Sequence, residues 1–206
     1  TCLDKYKTAK FLQNMNIDVA DTELLVNAKF AQKALVIKPR SGRGSQGIHF
    51  AETKEKFDEL KLSLQGDQWI CQQLLEPKSE EYTCGVFRSN GGDIRTISLR
   101  RSLINGMTNS GTVVENMDVF AMLRKVAQAL VLVGSINVQF ILTKAGPKIF
   151  EINPRFSSTV RFRHILGFQD LVWSILDMHN IDIPLYNPPA VNTRFLRAYN
   201  EIVLRN

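Results

Sequence analysis

Cysteine and histidine are scarce in this sequence, and each scarcity removes a class of chemistry. Cys2, Cys71 and Cys84 are odd in number, widely separated and without a Cys-x-x-Cys spacing. That excludes a disulfide framework and predicts reduced thiols in a cytosolic compartment. Cys71 reads as a small buried apolar residue. His49, His164 and His179 stand apart from one another and from the cysteines, so neither a zinc site nor a histidine-based nucleophilic triad is supported. No apolar run approaches the roughly 20 residues that cross a bilayer. No stretch interleaves basic and aromatic residues as nucleic-acid modules do, and no segment repeats another. The chain opens on Thr1-Cys2-Leu3, with neither an initiator methionine nor a basic-plus-apolar leader. It reads as an excised piece of a soluble protein with no membrane and no nucleic-acid partner, and with oligomer formation left open.

What is present is ordinary for a globular chain. The 206 residues suffice for one large domain or two small ones, and 44% hydrophobic with 22% charged residues rules out disorder. A net charge of +6 and a pI near 9.3 favour anionic partners, nucleotide phosphates among them.

Asp4 is placed to cap a first helix running to about Asn14, with Tyr6, Ala9 and Leu12 at helical spacing. Residues 34–38 read as a strand, 41–47 as a glycine-rich loop and 48–51 as a second strand. A helix over 53–64 stops at Gly66. Residues 69–75 form the next strand, and 76–80, with a proline and charges, make the best hinge between two subdomains, 1–75 and 76–206. Strands at 82–88, 94–101, 136–142 and 149–153 make an antiparallel sheet, the last two joined by the turn residues 143–147. Asp118 is read as the cap of an apolar helix over 119–133 that Gly134 ends, and another helix follows Asp170. The tail from Ile183 holds Pro184, Pro188 and Pro189, then a short strand-like stretch.

The most informative segment is Glu151-Ile152-Asn153-Pro154, followed by Arg155. A period of two puts Ile149, Glu151 and Asn153 on one face of the strand and Phe150 and Ile152 on the other. Gln139, on the polar-bearing face of the partner strand with Asn137, reaches the same volume. Such a sparse oxygen set suits magnesium, a hard cation that keeps waters or phosphate oxygens, and does not suit zinc. A strand ending at an Asn-Pro turn with a solvent-facing Glu151 accounts for those two residues equally well. Arg155 beside the turn, and an acid within an apolar strand, favour the functional reading.

Gly42-x-Gly44-x-x-Gly47 matches the dinucleotide fingerprint literally but lacks its context, because Ile48-His49-Phe50-Ala51 follows instead of a helix. No Gly-Lys-Ser/Thr ends it, so it is not a Walker A loop either. A hairpin loop that folds over phosphates remains, with Lys38 as a flexible cation in the strand leading in. The plain alternative is a surface turn and a solvated lysine.

Taken in order, Asp4-Lys5, Val36-Ile37-Lys38-Pro39 with the glycine loop, Gln72-Gln73-Leu74-Leu75 before Glu81-Tyr82-Thr83, and Gln139 with Glu151-Ile152-Asn153-Pro154-Arg155 resemble the ATP-grasp superfamily, most closely the large chain of carbamoyl-phosphate synthase and its small single-copy relatives. The resemblance spans nearly the whole chain. It implies an α+β fold of two subdomains with mostly antiparallel sheets that sandwich ATP. Lys5 and Lys38 then match phosphate-contacting cations, with Gly42, Gly44 and Gly47 in the phosphate loop. Gln72, Gln73 and Leu75 fall on the strand that meets adenine, and Glu81 on the ribose hydroxyls. Gln139, Glu151 and Asn153 match the ligands of magnesium, or of manganese in its place, and Arg155 steadies the transferred phosphoryl group. Arg100 or Arg101 adds a phosphate contact, the choice between them open. Many members have a carboxylate where this chain has Gln139, which puts the weaker of two metal sites in doubt.

The implied activity is an ATP-dependent ligase that turns a small-molecule carboxylate into an acyl-phosphate for capture by an amine. Family members also carry an N-terminal domain that this chain lacks, so nucleotide binding without turnover is the alternative. Acceptor specificity is expected in loops at 105–114 and 157–164, where Arg161 and Arg163 suggest an anionic substrate but on such a segment are more often solvent-facing.

Overall fold

The computed structural model describes residues 2–31, 33–42 and 46–198. Helix α1, Lys5–Asn14, opens where Asp4 accepts the backbone N–H of Lys7, and Arg40 Nε pairs with the same carboxylate at 2.8 Å. Ten residues are too few to hold a helix by propensity. What holds α1 is the burial of Ala9 and Leu12, worth about 1.5–3 kcal/mol for a leucine taken fully out of water.

A four-stranded sheet takes the order β1-β4-β2-β3, from Thr22–Leu24 (β1), Leu35–Pro39 (β2), His49–Ala51 (β3) and Trp69–Gln73 (β4). Helix α2, Lys54–Ser63, covers one face through Phe57 and Leu60, which meet Ile37, Ala51 and Cys71. The other face carries Val36, Lys38 and Gln72 and is left to a cleft. Strand β1, three residues long, shows no period in the sequence.

The larger sheet runs β10-β7-β6-β5-β8-β9. Its strands are Glu81–Arg88 (β5), Ile94–Ile104 (β6), Met107–Val114 (β7), Gly134–Thr143 (β8), Gly146–Asn153 (β9) and Arg194–Leu196 (β10). One face packs Cys84, Val86, Val138 and Phe140 against α1 and against helix α3, Met117–Ala129. The opposite face is divided. Toward one end, helices α4, Val160–Ile165, and α5, Asp170–Met178, enclose Phe87, Leu99, Phe168 and Trp173. At the other end the face is open to the cleft, and Ala20, Leu75, Ile141 and Phe150 join the two sheets.

Four expectations are corrected. The cap of α3 is Asn116, whose carboxamide accepts the N–H groups of Asp118 and Val119 at 2.9 and 3.1 Å, and Asp118 lies in the first turn. There its charge favours the helix dipole. The helix ends at Ala129, because Val131 (φ 47°) and Gly134 (φ 88°) turn the chain into β8. Residues 105–114 are not a loop. Asn105 and Gly106 (φ 51° and 73°) make the tight turn of a hairpin, and β7 follows. Asn-Gly is a strong hairpin signal, hidden here because Thr108, Asn109 and Ser110 give β7 no apolar alternation. Nor is Arg163 solvent-facing. It is fully buried in α4, with Nη2 at 2.7 Å from Asp170 Oδ2.

Candidate functional site

The cleft between the two sheets has a volume of about 480 Å³, within the roughly 300–1,000 Å³ of small-molecule sites. Its polar wall is made by β9, and the strand is not regular there. The register shifts between Gln139 and Phe140, with Gln139 opposite Glu151 and Phe140 opposite Ile149. Phe150 is the extra residue of a bulge, which breaks the period of two. Ile149 and Ile152 therefore both enter the core on the far side, whereas Phe150, Glu151 and Asn153 all line the cleft. The strict alternation that put Ile149 with Glu151 is corrected by this bulge. The pairing of Glu151 with Asn153 survives it.

Three cations face this wall. Lys38, on β2, is buried, with Nζ 3.5 Å from the carbonyl of Phe150 and 5.7 Å from that ring's centroid. Burial pulls its pKa down from 10.5 to about 8, Glu151 resists that pull and Lys5 adds to it. Lys5 reaches the site because its backbone N–H bonds the carbonyl of Arg40 at the end of β2. Its Nζ donates to Gly42 O at 3.3 Å and lies 4.0 Å from Glu151 Oε1. Arg155, exposed just past β9, completes the set.

A charged Lys38 held out of water strains the fold. Unfolded, the lysine keeps its proton up to about 10.5, and folded only to about 8. Between those values the unfolded state binds more protons, so stability rises with pH across that window and the cost is fully present below it. Lys38→Met is expected to raise the unfolding free energy at pH 7 by on the order of 3 kcal/mol, read from urea midpoints. An unchanged or lower midpoint would show that the ammonium is not strained.

Between the sheet strands, Arg101 ties two candidate residues together. Its Nε and Nη2 donate to Glu81 Oε1 at 3.0 and 2.5 Å, Nη2 also donates to Gln139 Oε1 at 3.1 Å, and Nη1 to Thr108 Oγ1 at 3.3 Å. Arg100 lies one residue away on β6, hence on the other face, and pairs with Glu80 at 3.4 Å. Of the two arginines between which the sequence leaves the choice open, Arg101 lines the cleft.

The other end of the cleft is apolar, with Val36, Ile48, Phe50, Leu75 and Ile141. Gln73 brings a buried carboxamide oxygen there without a protein partner. Gln72 also lines the cleft, yet its Nε2 donates to Thr22 Oγ1 at 2.8 Å and lies 3.4 Å from the Phe150 carbonyl, so the side chain fastens the small sheet to β9. Gly42 lines the cleft. Gly47 (φ 68°) does not. A Cβ there would meet Pro39 at 3.1 Å, so the glycine is required by its turn and not by contact with an occupant. Gly44 lies outside the described residues. Lys78, placed over the Phe50 ring at 5.0 Å, and the bulged Phe150 were not singled out in the sequence. No pattern marks either one.

Oxygen donors for a hard cation are at hand in Glu151 and Asn153. Among the described residues no three His, Cys, Asp or Glu side chains cluster as metal ligands. Glu151 with neutral amides fits an ion that retains waters and ligand oxygens, as magnesium does.

A family model described as an ATP-grasp domain matches residues 2–159. A comparison with curated protein sequences returns no match. Among solved structures, an N5-carboxyaminoimidazole synthetase from Staphylococcus aureus complexed with ADP superposes with a TM-score of 0.76 at 15% identity, covering 95% of this chain and 54% of that one. A carboxyaminoimidazole ribonucleotide synthase from Aspergillus clavatus complexed with ATP gives 0.73 at 15%, covering 89% and 53%. An L-amino acid ligase from Bacillus licheniformis gives 0.67 at 14%, covering 84% and 46%. The chain thus spans about half the length of the solved structures it matches. At these identities the likeness carries the fold: α+β, with two antiparallel sheets on either side of the cleft.

Proposed function

Because the chain belongs to the ATP-grasp family, we propose that the cleft binds ATP with a divalent cation and serves an ATP-dependent ligase that activates a carboxylate as an acyl-phosphate for capture by an amine. One observation carries this reading. Lys5, Lys38 and Arg155 converge on the wall that presents Glu151 and Asn153, while an apolar slot with the free acceptor of Gln73 lies at the other end. A polyphosphate at the first and a purine at the second match that division of charge.

In this reading Lys38 and Lys5 neutralise phosphate oxygens, and Gly42 with the rest of the 41–47 loop approaches them from the small sheet. Gln73, Leu75 and Ile141 hold the base, and Glu81 holds the ribose hydroxyls. Gln72 holds the two sheets at the spacing the base needs. Magnesium or manganese, when bound at Glu151 and Asn153, would supply charge neutralisation during transfer. Arg155 stabilises the equatorial oxygens as the substrate carboxylate attacks the γ-phosphorus and ADP leaves. Placement and fixed charge do most of the work, as is general for phosphoryl transfer. The amine then displaces phosphate from the acyl carbon. Bicarbonate, in the manner of carbamoyl-phosphate synthase, is one carboxylate of this class.

Among the described residues no helix is long and apolar enough to cross a membrane. Burial pushes the Cys71 and Cys84 thiols up to about 11 and about 12, which leaves them poor nucleophiles. The chain covers about half of its structural neighbours, and a partner domain of the same protein is proposed to complete the acceptor side. Nucleotide binding alone is therefore the first property to test. Titration calorimetry of the folded chain with ATP should give saturable heat that strengthens with magnesium, and a folded sample giving none would sink the assignment.

A further inference from the structure

We infer that Arg101 occupies the role of a second metal ion in this cleft, with Gln139 serving as its hydrogen-bond acceptor instead of as a metal ligand, so that the site takes one divalent cation per nucleotide. The inference rests on the ATP-binding reading above. Its grounds are the bonds of one guanidinium.

An amide that meets a guanidinium must present its oxygen, since arginine only donates. Gln139 Oε1 accordingly faces Arg101 Nη2 at 3.1 Å, which leaves one lone pair of a neutral oxygen, and the amide's Nε2 cannot bind a cation. Arg101 is not free to swing away. Glu81 takes two of its N–H groups, Thr108 a third, and the side chain is only 9% exposed. A metal at Gln139 would have only that neutral oxygen's second lone pair, on the atom that already accepts from a fixed positive charge.

The charges available to cations agree with this. Glu151 is the one carboxylate on the β9 wall, Gln139 and Asn153 are neutral, and Lys5 already lies 4.0 Å from Glu151. The other acid nearby, Glu81, is matched by Arg101 itself. Glu151 and Asn153 are enough for one ion completed by phosphate oxygens and water. A second would share that single carboxylate. A guanidinium fixed in advance can meet developing phosphoryl charge without reorganising.

The test counts ions. Manganese is titrated into the full chain held at equal concentration with the β,γ-imido analogue of ATP, bound ions are counted by electron paramagnetic resonance, and analogue binding is measured separately by displacement of a fluorescent nucleotide. The wild-type chain is expected to hold one Mn²⁺ per bound analogue. Gln139→Glu alone should also hold one, because the new carboxylate pairs with Arg101. The double variant Arg101→Met, Gln139→Glu should hold two. Two ions in the wild type, or in Gln139→Glu alone, would overturn the inference, as would a single ion in the double variant. Should the double variant not fold, the wild-type and Gln139→Glu counts still decide. Failure of the analogue to bind at all would instead remove the ATP reading, and this inference with it.

Discussion

Asp170→Ala is expected to lower the unfolding free energy by about 3–5 kcal/mol, the usual loss when one partner of a buried ion pair is removed and the other stays behind. Arg163 and Asp170 are 0% and 1% exposed and 2.7 Å apart. Asp170 Oδ2 also accepts from Ser135 Oγ at 2.6 Å, and Arg163 Nη1 donates to Asn137 Oδ1 at 3.3 Å, itself bonded to Thr83. Burial pushes the Asp170 carboxyl up and pulls the Arg163 guanidinium down, and each restrains the other's shift. The pair is therefore costly to hold and more costly to halve. Arg163→Met with Asp170→Leu together should recover most of the loss, since an apolar replacement of similar volume is often close to neutral. Chemical denaturation of the single and double variants measures both. A loss below about 1 kcal/mol for Asp170→Ala would mean that the charge is relieved by rearrangement or water entry. The cluster lies beside the cleft on the same sheet face, two residues along β8 from Gln139, and α4 follows directly on the segment that carries Arg155. Its stability bears on where that arginine stands.

Much of this fold can be read from local chemistry. The cap at Asp4, the turn at 143–147 and the interrupted glycine fingerprint are each decided by a few adjacent residues, and the ordered motifs assign the family through their succession along the chain. What escaped depends on tertiary partners. The bulge at Phe150 exists only in relation to the strand opposite, so a strict period misassigns Ile149 while still pairing Glu151 with Asn153. Arg163 looks like any surface arginine until α5 brings Asp170 against it from seven residues away. Arg100 and Arg101 differ only in which face of β6 each one takes, and the sequence of β6 is too polar to fix the face. The sequence does not separate Asn116 from Asp118, two residues on, as the cap of α3, because both are good capping residues by type.

Glu151→Gln is expected to weaken Mn²⁺ binding in the presence of nucleotide by about 10- to 100-fold and to cut magnesium-dependent turnover of the whole protein by about 10²–10³-fold, while affinity for metal-free ADP stays the same or improves slightly. The substitution keeps the side chain's shape and removes the one carboxylate on the β9 wall. The attraction between a carboxylate and a divalent ion is largely offset by the cost of desolvating both, which leaves about 1.5–3 kcal/mol for a charged contact, still more than the loss of a neutral donor. Metal-free nucleotide responds in the opposite sense. Glu151 stands 4.0 Å from Lys5, and its neutral replacement leaves Lys5 to the phosphates and takes a negative charge away from them, which outweighs the support that Glu151 gives to the charge of Lys38. The opposite signs separate a metal site from a structural one, because damage to the fold would weaken both ligands together. Calorimetry with ADP in chelator, paired with Mn²⁺ titration of the same sample, reads the two arms. Wild-type Mn²⁺ affinity in Glu151→Gln would place the cation elsewhere in the cleft, and a parallel loss of metal-free ADP would make Glu151 a structural residue.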